Sequence, residues 1–255
     1  MDLPCNHFKH AIAAGRQQIG LWCTMPSGFT AEALANCGFD WLLFDTEHSP
    51  GDPLTVMEQL QAAAPYSVAT AVRPANNDPV LIKRILDAGA LTLLIPYVQN
   101  RKEAEAAVAA MRYPPRGIRG VAGITRATRY GMVEDYAQHA EKELCLLVQV
   151  ETKAALDEIE AIAAVEGVDG IFIGPSDLAA SMGFPGNPGH PDVVAAIEGA
   201  IRRIRKTGKP AGILSLDPAF VRHCMNLGTV FTAVDVDAAI LIRNATRIAS
   251  EFKAG

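Results

Sequence analysis

Short apolar runs recur along the chain and are separated by longer segments in which apolar residues return every three or four positions. Apolar runs of about four to eight residues between turn residues are typical of strands buried on both faces. Eight such runs predict strands: IGLWCT (19–24), WLLFD (41–45), SVATAVR (67–73), TLLIPYV (92–98), CLLVQVE (145–151), GIFIG (170–174), AGILS (211–215) and TVFTAVD (229–235).

The segments between these runs predict helices at 6–14, 31–37, 54–64, 79–88, 102–111, 153–165, 193–207, 218–227 and 238–252. Asp78 and Asp217 each precede a proline, which is the pattern of an N-cap followed by proline at the first helical position, and Thr152 is a further candidate N-cap. Five glycines stand where helix C-termini favour a left-handed residue: Gly38, Gly89, Gly167, Gly208 and Gly228.

Strand and helix alternate eight times, which favours an α/β fold of the (β/α)₈ TIM-barrel type. We expect a single domain over residues 1–255, with a doubly wound open sheet as the alternative.

One segment interrupts the alternation. Residues 113–130 read YPPRGIRGVAGITRATRY and predict neither a strand nor a helix of ordinary length. Long irregular segments in compact domains usually bind, cover or join something, so we expect an active-site or subunit-contact loop, with a solvated linker as the alternative. Arg119, Arg126 and Arg129 are its candidate anion contacts. A second irregular stretch, 182–190, is expected to form a pocket rim.

Composition excludes several classes of protein. The net charge of −5 gives no support to binding of nucleic acid or of an anionic membrane. No apolar run of about twenty residues is present, and the polar N-terminus does not have the pattern of a secretory signal. The five cysteines are widely spaced and include no Cys-x-x-Cys pair, which is typical of a protein of the reducing cytoplasm.

Ionisable residues cluster where four predicted strands end. In a parallel barrel the carboxyl ends of the strands meet at one mouth, so distant residues are expected to share one pocket. The set is Asp45, Glu47, His48, Arg73, Glu151 and Asp177.

Glu151 and Asp177 are candidate ligands of a divalent cation. Two carboxylates at neighbouring strand ends form the sparse oxygen site that Mg²⁺ or Mn²⁺ prefers, whereas zinc more often recruits several His or Cys residues. The alternatives are that Asp177 only caps a helix and that Glu151 only forms a salt bridge.

His48 and Arg73 are candidates for the chemistry itself. An imidazole can take or return a proton near neutral pH, although a lone histidine is more often a hydrogen-bonded structural residue. The guanidinium of Arg73 suits a substrate carboxylate or a developing enolate oxygen; its alternative is an ion pair with Asp45 or Glu47. Gln149 points to the same side of its strand as Glu151.

Several motifs, in order over residues 19–246, resemble the class II 4-hydroxy-2-oxoheptanedioate aldolases and their sugar-acid-cleaving relatives, the HpcH/HpaI aldolase family. The matching segments are FDTEHSP (44–50), AVRP (71–74), NDPVLIKRILDAGA (77–90), the 116–119 loop, LVQVET (147–152), GVDGIFIGPSDLA (167–179) and GNPGHP (186–191).

The resemblance implies an aldolase that cleaves 4-hydroxy-2-oxo acids to pyruvate, or a hydroxypyruvate-like oxo acid, and an aldehyde, and that also runs the reverse addition. It implies a requirement for a divalent cation such as Mg²⁺, Mn²⁺ or Co²⁺, and no organic cofactor. It also implies a homo-hexamer arranged as a trimer of dimers, with the C-terminal helix exchanged between subunits.

Position by position, the resemblance assigns roles to individual residues. Glu151 and Asp177 would bind the metal, His48 would be the base through a water molecule, and Asp87 would hydrogen-bond His48 and strengthen it. Arg73 would stabilise the enolate. The remaining expected site residues are Gln149, Gly174, Pro175, Ser176 and Asp177 as contacts of the oxo acid, and Asp45, Glu47, Leu214, Ser215 and Arg126 as further members of the pocket.

Two positions and two short segments differ from the usual family pattern. Ser176 replaces a common alanine and Thr46 a common glycine, and residues 122–125 and 215–216 are also altered. These positions border the predicted pocket, so they leave the donor and acceptor open among heptanedioate, rhamnonate-derived and glucarate-derived substrates.

Three rival functions remain open at this point. A class I aldolase would need a Schiff-base lysine, for which Lys83, Lys153 and Lys209 are candidates, although none ends a predicted strand. A citrate-lyase-like enzyme would act on CoA thioesters on a related fold. A non-catalytic oligomer would only bind an oxo acid.

Overall fold

Eight parallel strands close into a barrel in the computed structural model, which describes residues 1–253. The strands follow one another in sequence order, and β8 pairs with β1, which excludes the open sheet. Their bounds are β1 Gln18–Cys23, β2 Trp41–Asp45, β3 Ala69–Arg73, β4 Thr92–Ile95, β5 Cys145–Val150, β6 Gly170–Ile173, β7 Ala211–Leu214 and β8 Thr229–Val236. The predicted TIM barrel and all eight of its strands are confirmed.

Helices surround the barrel. They are α1 His7–Ala13, α2 Gly28–Ala35, α3 Pro53–Ala63, α4 Pro79–Asp87, α5 Arg101–Met111, α6 Tyr136–His139, α7 Lys153–Asp157, α8 Ile159–Ala163, α9 Pro175–Ser181, α10 Pro191–Lys206, α11 Pro218–Leu227 and α12 Asp237–Lys253, with one 3₁₀ turn at Ala140–Lys142. None of these helices in residues 1–253 combines the length and the apolar character needed to cross a bilayer.

The predicted helix ends are set by the expected capping groups. The Asp78 carboxylate accepts hydrogen bonds from the backbone N–H groups of Val80 and Leu81, and Thr152 Oγ1 accepts one from that of Ala155. Gly228 ends α11 with φ of 111°, a left-handed conformation that favours glycine.

The prediction of one helix over 153–165 was wrong, because Glu158 leaves helical geometry (φ −97°, ψ 5°) and divides the segment into α7 and α8. Buried residues follow a continuous helical period across this break, so the apolar pattern alone could not reveal it.

The barrel interior is filled by large side chains, and α1 closes its amino-terminal end. Phe8 of α1 lies with its ring centroid 5.5 Å from that of Trp41 and 6.1 Å from that of Phe231. Gly20 and Gly212 make room for these rings, since a Cβ at either position would lie 2.1 Å from a ring carbon. The floor of the barrel is therefore packed with aromatic rings, whereas buried charged side chains lie at the carboxyl-terminal mouth.

Candidate functional site at the barrel mouth

The ends of β2 and β3 hold a buried ion pair. Asp45 and Arg73 are paired in register, and the carboxylate accepts hydrogen bonds from Arg73 Nε (2.8 Å) and Nη2 (2.7 Å). Trp22 of β1 adds a third hydrogen bond to Asp45 (Nε1–Oδ2, 3.2 Å), and its ring lies 4.7 Å from the guanidinium carbon of Arg73. Both charged groups are about 95% buried or more, so Arg73 is held in one orientation.

Glu47 and His48 follow this pair. Glu47 Oε2 lies 2.8 Å from Arg73 Nη1, so both ion pairs considered for Arg73 are formed. The His48 side chain is 65% exposed, with Nε2 4.0 Å from Glu47 Oε2, and is free to contact a ligand. Thr46, which replaces a common glycine, donates from its hydroxyl to the Arg73 carbonyl (2.7 Å) and ties the two strand ends together.

Glu151 is the most buried carboxylate of the mouth, with 2% of its surface exposed. Its Oε2 accepts a hydrogen bond from Gln149 Nε2 (2.5 Å), and its Oε1 accepts one from the backbone N–H of Tyr97 (2.8 Å). Tyr97 reaches this position only with a φ of 55°, a strained conformation for a tyrosine. The chain after β4 is thus bent to orient Glu151.

The turn after β6 brings Asp177 to the same place. Asp177 lies in the first turn of α9, where its charge acts on both Glu151 and Glu47. Gly174 lies beneath it, and a Cβ there would be 2.4 Å from Glu151 Oε2 and 2.8 Å from Gln149 Nε2. Only glycine lets this turn pass so close to Glu151.

The electrostatics of the mouth are unbalanced. Burial, followed by the negative charge of Asp177, raises the pKa of Glu151 to about 7, and burial is also the main cause that raises the pKa of Glu47. For Asp45, burial acts upward, but the hydrogen bonds and charge of Arg73 outweigh it and hold the pKa below its usual value. Among the described residues, the charges that act on the Glu151 carboxylate are those of Asp177 and Glu47, and both are negative.

These residues fit a divalent cation. The donors are carboxylate and amide oxygens, which Mg²⁺ and Mn²⁺ prefer. One buried oxygen, Gln149 Oε1, has no hydrogen-bond donor among residues 1–253, and Glu47 Oε2 has only its ion-pair contact with Arg73. A bound dication would offset the repulsion between Glu151 and Asp177, and the hydrogen bonds from Gln149 and Tyr97 already orient one of the two carboxylates.

A cavity of about 450 Å³ opens beside the mouth. It is lined by the first turn of α9, the segment after β7 and part of the 182–190 stretch. This stretch therefore forms part of a pocket rim, as predicted. Its lining is Pro175, Ser176, Pro188, Gly189, Val194, Leu214, Ser215, Leu216, Asp217 and Phe220.

Two predicted site residues lie far from the mouth within one chain. Asp87 is the last residue of α4, on the amino-terminal side of the barrel, and accepts a 2.7 Å hydrogen bond from Arg119 Nη2 instead of contacting His48. Arg126 lies on that side too and donates to the carbonyls of Ala88 (2.9 Å) and Leu60 (3.4 Å). The buried Arg119 ion pair and the Arg126 hydrogen bonds are formed within the chain, so neither arginine is a free anion contact here.

Two contributors to the site were missed by the sequence reasoning. Trp22 supports both partners of the Asp45–Arg73 pair, and the backbone N–H of Tyr97 holds Glu151. The position of Trp22 at the end of β1 is a signal that could have been used, since the carboxyl ends of all eight strands face the mouth. No residue type in the sequence around Tyr97 predicts its unusual φ.

Known proteins of one family resemble this chain over nearly its whole length. Residues 18–244 match the model of the family described as HpcH/HpaI aldolase/citrate lyase. The chain is 64% identical to the pyruvate aldolase of Rhizobium etli, over 99% of both chains, and 58% identical to the hydroxypyruvate/pyruvate aldolase of Sagittula stellata, over 94% of this chain and 95% of that one.

A crystal structure of an HpcH/HpaI aldolase/citrate lyase family protein from Burkholderia cenocepacia superimposes with a TM-score of 0.94 at 39% identity, covering 97% of this chain and 99% of the other. The chain therefore belongs to the HpcH/HpaI aldolase/citrate lyase family.

Proposed function

We propose that this protein is a divalent-metal-dependent class II aldolase that cleaves 4-hydroxy-2-oxo acids to pyruvate, or a hydroxypyruvate-like oxo acid, and an aldehyde, and that catalyses the reverse addition. The observation that carries the proposal is that Asp177 lies near enough to Glu151 and Glu47 at the barrel mouth for its charge to act on both, while Glu47 also contacts Arg73 and His48. The names of the Rhizobium etli and Sagittula stellata relatives support the reaction and both donors.

Glu151 and Asp177 are the proposed metal ligands. When bound, Mg²⁺, Mn²⁺ or Co²⁺ supplies Lewis-acid polarisation of the 2-oxo group of the substrate. Gln149 keeps Glu151 in place through its Nε2, and its partnerless Oε1 is available to the ligand. Gly174, Pro175 and Ser176 form the turn over which the oxo acid would lie, because a side chain at Gly174 would close this space. No organic cofactor is needed for this chemistry.

Arg73 is the proposed electrophile for the negative charge that develops on the 2-oxo oxygen. Of its five N–H donors, three face Asp45 and Glu47, which leaves two to donate to a substrate oxygen. Because Asp45 and Trp22 fix the guanidinium before substrate binds, little reorganisation is required as the charge forms.

His48 is the proposed base that removes the proton of the 4-hydroxyl group through a water molecule. Its exposed position suits proton exchange with ligand and solvent. The proposed role of Asp87, which is to strengthen this histidine, would have to be performed by Asp87 of a second copy of the chain, because the two residues lie at opposite ends of one barrel.

We further propose a homo-hexamer built as a trimer of dimers, with α12 exchanged between subunits. The outer residues of α12 include Leu241, Ile242 and Phe252, which are 57%, 64% and 85% exposed. An apolar surface of this kind on a terminal helix is typical of an interface. Light scattering of the purified protein at micromolar concentration tests the subunit number, and a monomer would contradict it. The cytoplasm stays the proposed location.

The rival functions have separate tests. A Schiff-base lysine requires a desolvated or cation-flanked amine, whereas Lys153 is exposed and Lys209 donates to the Val168 carbonyl. Borohydride trapping with pyruvate should leave the protein unlabelled. Turnover of acetyl-CoA or malyl-CoA would favour the citrate-lyase-like alternative, and binding of pyruvate without any cleavage would favour the non-catalytic one.

The proposed function is tested by a panel of aldehydes assayed with pyruvate and with hydroxypyruvate. Each assay is run after treatment with EDTA and again after addition of Mg²⁺, Mn²⁺ or Co²⁺. Aldol addition that disappears with EDTA and returns with the cation is expected. Full activity in EDTA would overturn the metal dependence.

A further inference from the structure

A second cluster of metal-binding side chains lies at the opposite end of the barrel from the proposed active site. Cys5 and His10 belong to the N-terminal segment and α1, and Glu143 precedes β5. One ligand atom from each of the three lies within 4.8 Å of the others. The proposed reaction uses none of these residues.

The cluster is held in place by Asn6, which is 3% exposed. The backbone N–H of Asn6 donates to Glu143 Oε2 (2.7 Å), and its side-chain amide donates to the Glu143 carbonyl (2.9 Å) and to Thr92 Oγ1 (3.0 Å). The carboxylate and the segment that carries Cys5 are thus fixed relative to each other. A preformed arrangement lowers the entropic cost of binding an ion.

The spacing suits a small tetrahedral cation. Bonds of about 2.0–2.3 Å from zinc to nitrogen, oxygen and sulfur place neighbouring ligand atoms about 3.3–3.8 Å apart. His10 Nε2 lies 3.0 Å and 3.3 Å from the two Glu143 oxygens, close to this range. Cys5 Sγ lies within 4.8 Å of both other ligand atoms, and rotation of its side chain can bring it the remaining distance, at most about 1–1.5 Å. His7 Nδ1 lies 3.6 Å from Cys5 Sγ and is next to the cluster as a fourth donor.

The charges of the cluster also favour a cation. His10 is the only basic side chain within 4.0 Å of the Glu143 carboxylate in the described part of the chain. Burial and then the negative charge of Glu143 raise the pKa of the Cys5 thiol. A divalent ion would remove this repulsion, since thiolate and carboxylate together balance its charge and the thiol releases one proton on binding.

We propose that Cys5, His10 and Glu143 form a zinc-class metal site, with His7 or a water molecule as fourth ligand, and that the ion fastens α1 to the floor of the barrel. The mixed sulfur, nitrogen and oxygen donors select Zn²⁺ or Co²⁺ over the Mg²⁺ and Mn²⁺ that suit the all-oxygen mouth. The ion bridges the segment before β1 and the residue that leads into β5, so its effect is on stability.

The test uses the E151Q/D177N double variant, which lacks the proposed metal ligands of the mouth, so that any metal bound is bound elsewhere. Co²⁺ is titrated into this variant, because a cobalt–thiolate bond gives a charge-transfer absorption band that oxygen ligands do not give. We expect the band to saturate at one Co²⁺ per chain and to be lost when C5S or H10A is added. The matched controls add C37S or H139A to the same double variant. These substitutions change an exposed cysteine and an exposed histidine elsewhere, so the band should remain.

Thermal unfolding gives a second measurement on the same proteins. Zn²⁺ at about 100 times its Kd should raise the Tm of the double variant by about 5–10 °C and leave that of the C5S form unchanged. Absence of the thiolate band in the double variant, or an equal band with C5S, would overturn the proposal. Neither result bears on the aldolase site, which the double variant already lacks.

Discussion

Arg73 combines a structural and a chemical role at the mouth. Its ion pair with Asp45 is buried, so removing the guanidinium leaves an unpaired buried carboxylate that costs about 3–5 kcal/mol. Loss of the fixed positive charge at the substrate should lower the rate by about 10²–10³ as well. These two effects can be separated, because the loss of stability is measured by unfolding and the loss of rate is measured on folded protein.

We therefore predict that Arg73→Lys, which keeps the charge but loses the bidentate geometry, lowers kcat for pyruvate release by at least about tenfold, and that Arg73→Ala lowers it by about 10²–10³. Turnover is normalised to the folded fraction of each variant at the assay temperature, which is measured from the unfolding transition of that variant. Activity of Arg73→Ala within about a factor of two of the parent would count against the assigned role.

Glu151 predicts a pH dependence of metal binding. Its folded-state pKa of about 7 lies above the ordinary value of 4.5, so between these values the metal-free folded protein holds more protons than the unfolded chain. Stability without metal should therefore fall as pH rises through that window. A metal ligand must be ionised, so Mn²⁺ affinity should weaken by about tenfold per pH unit below pH 7 and level off above it.

Calorimetric titration of Mn²⁺ from pH 5.5 to 8 measures this dependence. The free energy of unfolding of the metal-free parent should decrease between pH 4.5 and 7 because of Glu151. In the metal-free Glu151→Gln variant this decrease should be absent. A Mn²⁺ affinity that is constant over the same range in the parent would contradict the assignment of Glu151 as a ligand.

At the scale of elements, the turn from β6 to α9 depends on the absence of a side chain. A Cβ at Gly174 would overlap Glu151 Oε2, whereas one at Gly199 in α10 would meet nothing within 4 Å. We predict that Gly174→Ala abolishes metal-dependent turnover, because Glu151 must move. Gly199→Ala is the matched control and should raise stability by about 0.5–1 kcal/mol with unchanged activity. Equal activity of the two variants would show that the turn does not position the site.

The eight strands followed from the sequence because each apolar run forms a strand that is largely buried. WLLFD is the clearest case, since all five of its residues are buried. The conserved geometry of a parallel barrel then places Asp45, Arg73 and Glu151 at one mouth. The break at Glu158 and the left-handed Tyr97 were missed, because both are backbone conformations imposed by tertiary contacts that leave the apolar period unchanged.

The position of Asp87 shows a different limit. In a parallel barrel the strands end at the carboxyl-terminal mouth and the helices that follow them end at the opposite side. His48 follows the end of β2 and Asp87 ends α4, so the order of elements already places them on opposite sides. The family resemblance supplied a role for this residue that a single chain cannot fulfil. The proposed role would therefore have to come from Asp87 of a second copy of the chain, and the order of elements in one chain does not describe contacts between two.

For the molecule as a whole, the packed floor carries much of the stability while the mouth carries the chemistry. Phe8 is 2% exposed and fills the floor against Trp41 and Phe231. We predict that Phe8→Ala costs about 3–5 kcal/mol and lowers the Tm by about 6–20 °C, while kcat at 25 °C stays near the parental value. Phe29→Ala removes an aromatic ring that is 83% exposed and should change neither quantity appreciably. A large loss of kcat in folded Phe8→Ala would show that floor and mouth are coupled.

The central claim is that Glu151 and Asp177 bind one divalent cation on which cleavage depends. The most direct test measures pyruvate release from a 4-hydroxy-2-oxo acid by EDTA-treated parent, Glu151→Gln and Asp177→Asn proteins while Mn²⁺ is added. We expect the parent to regain full activity and both variants to stay at least about 10²-fold below it at saturating metal. Near-parental pyruvate release by both variants would contradict the account.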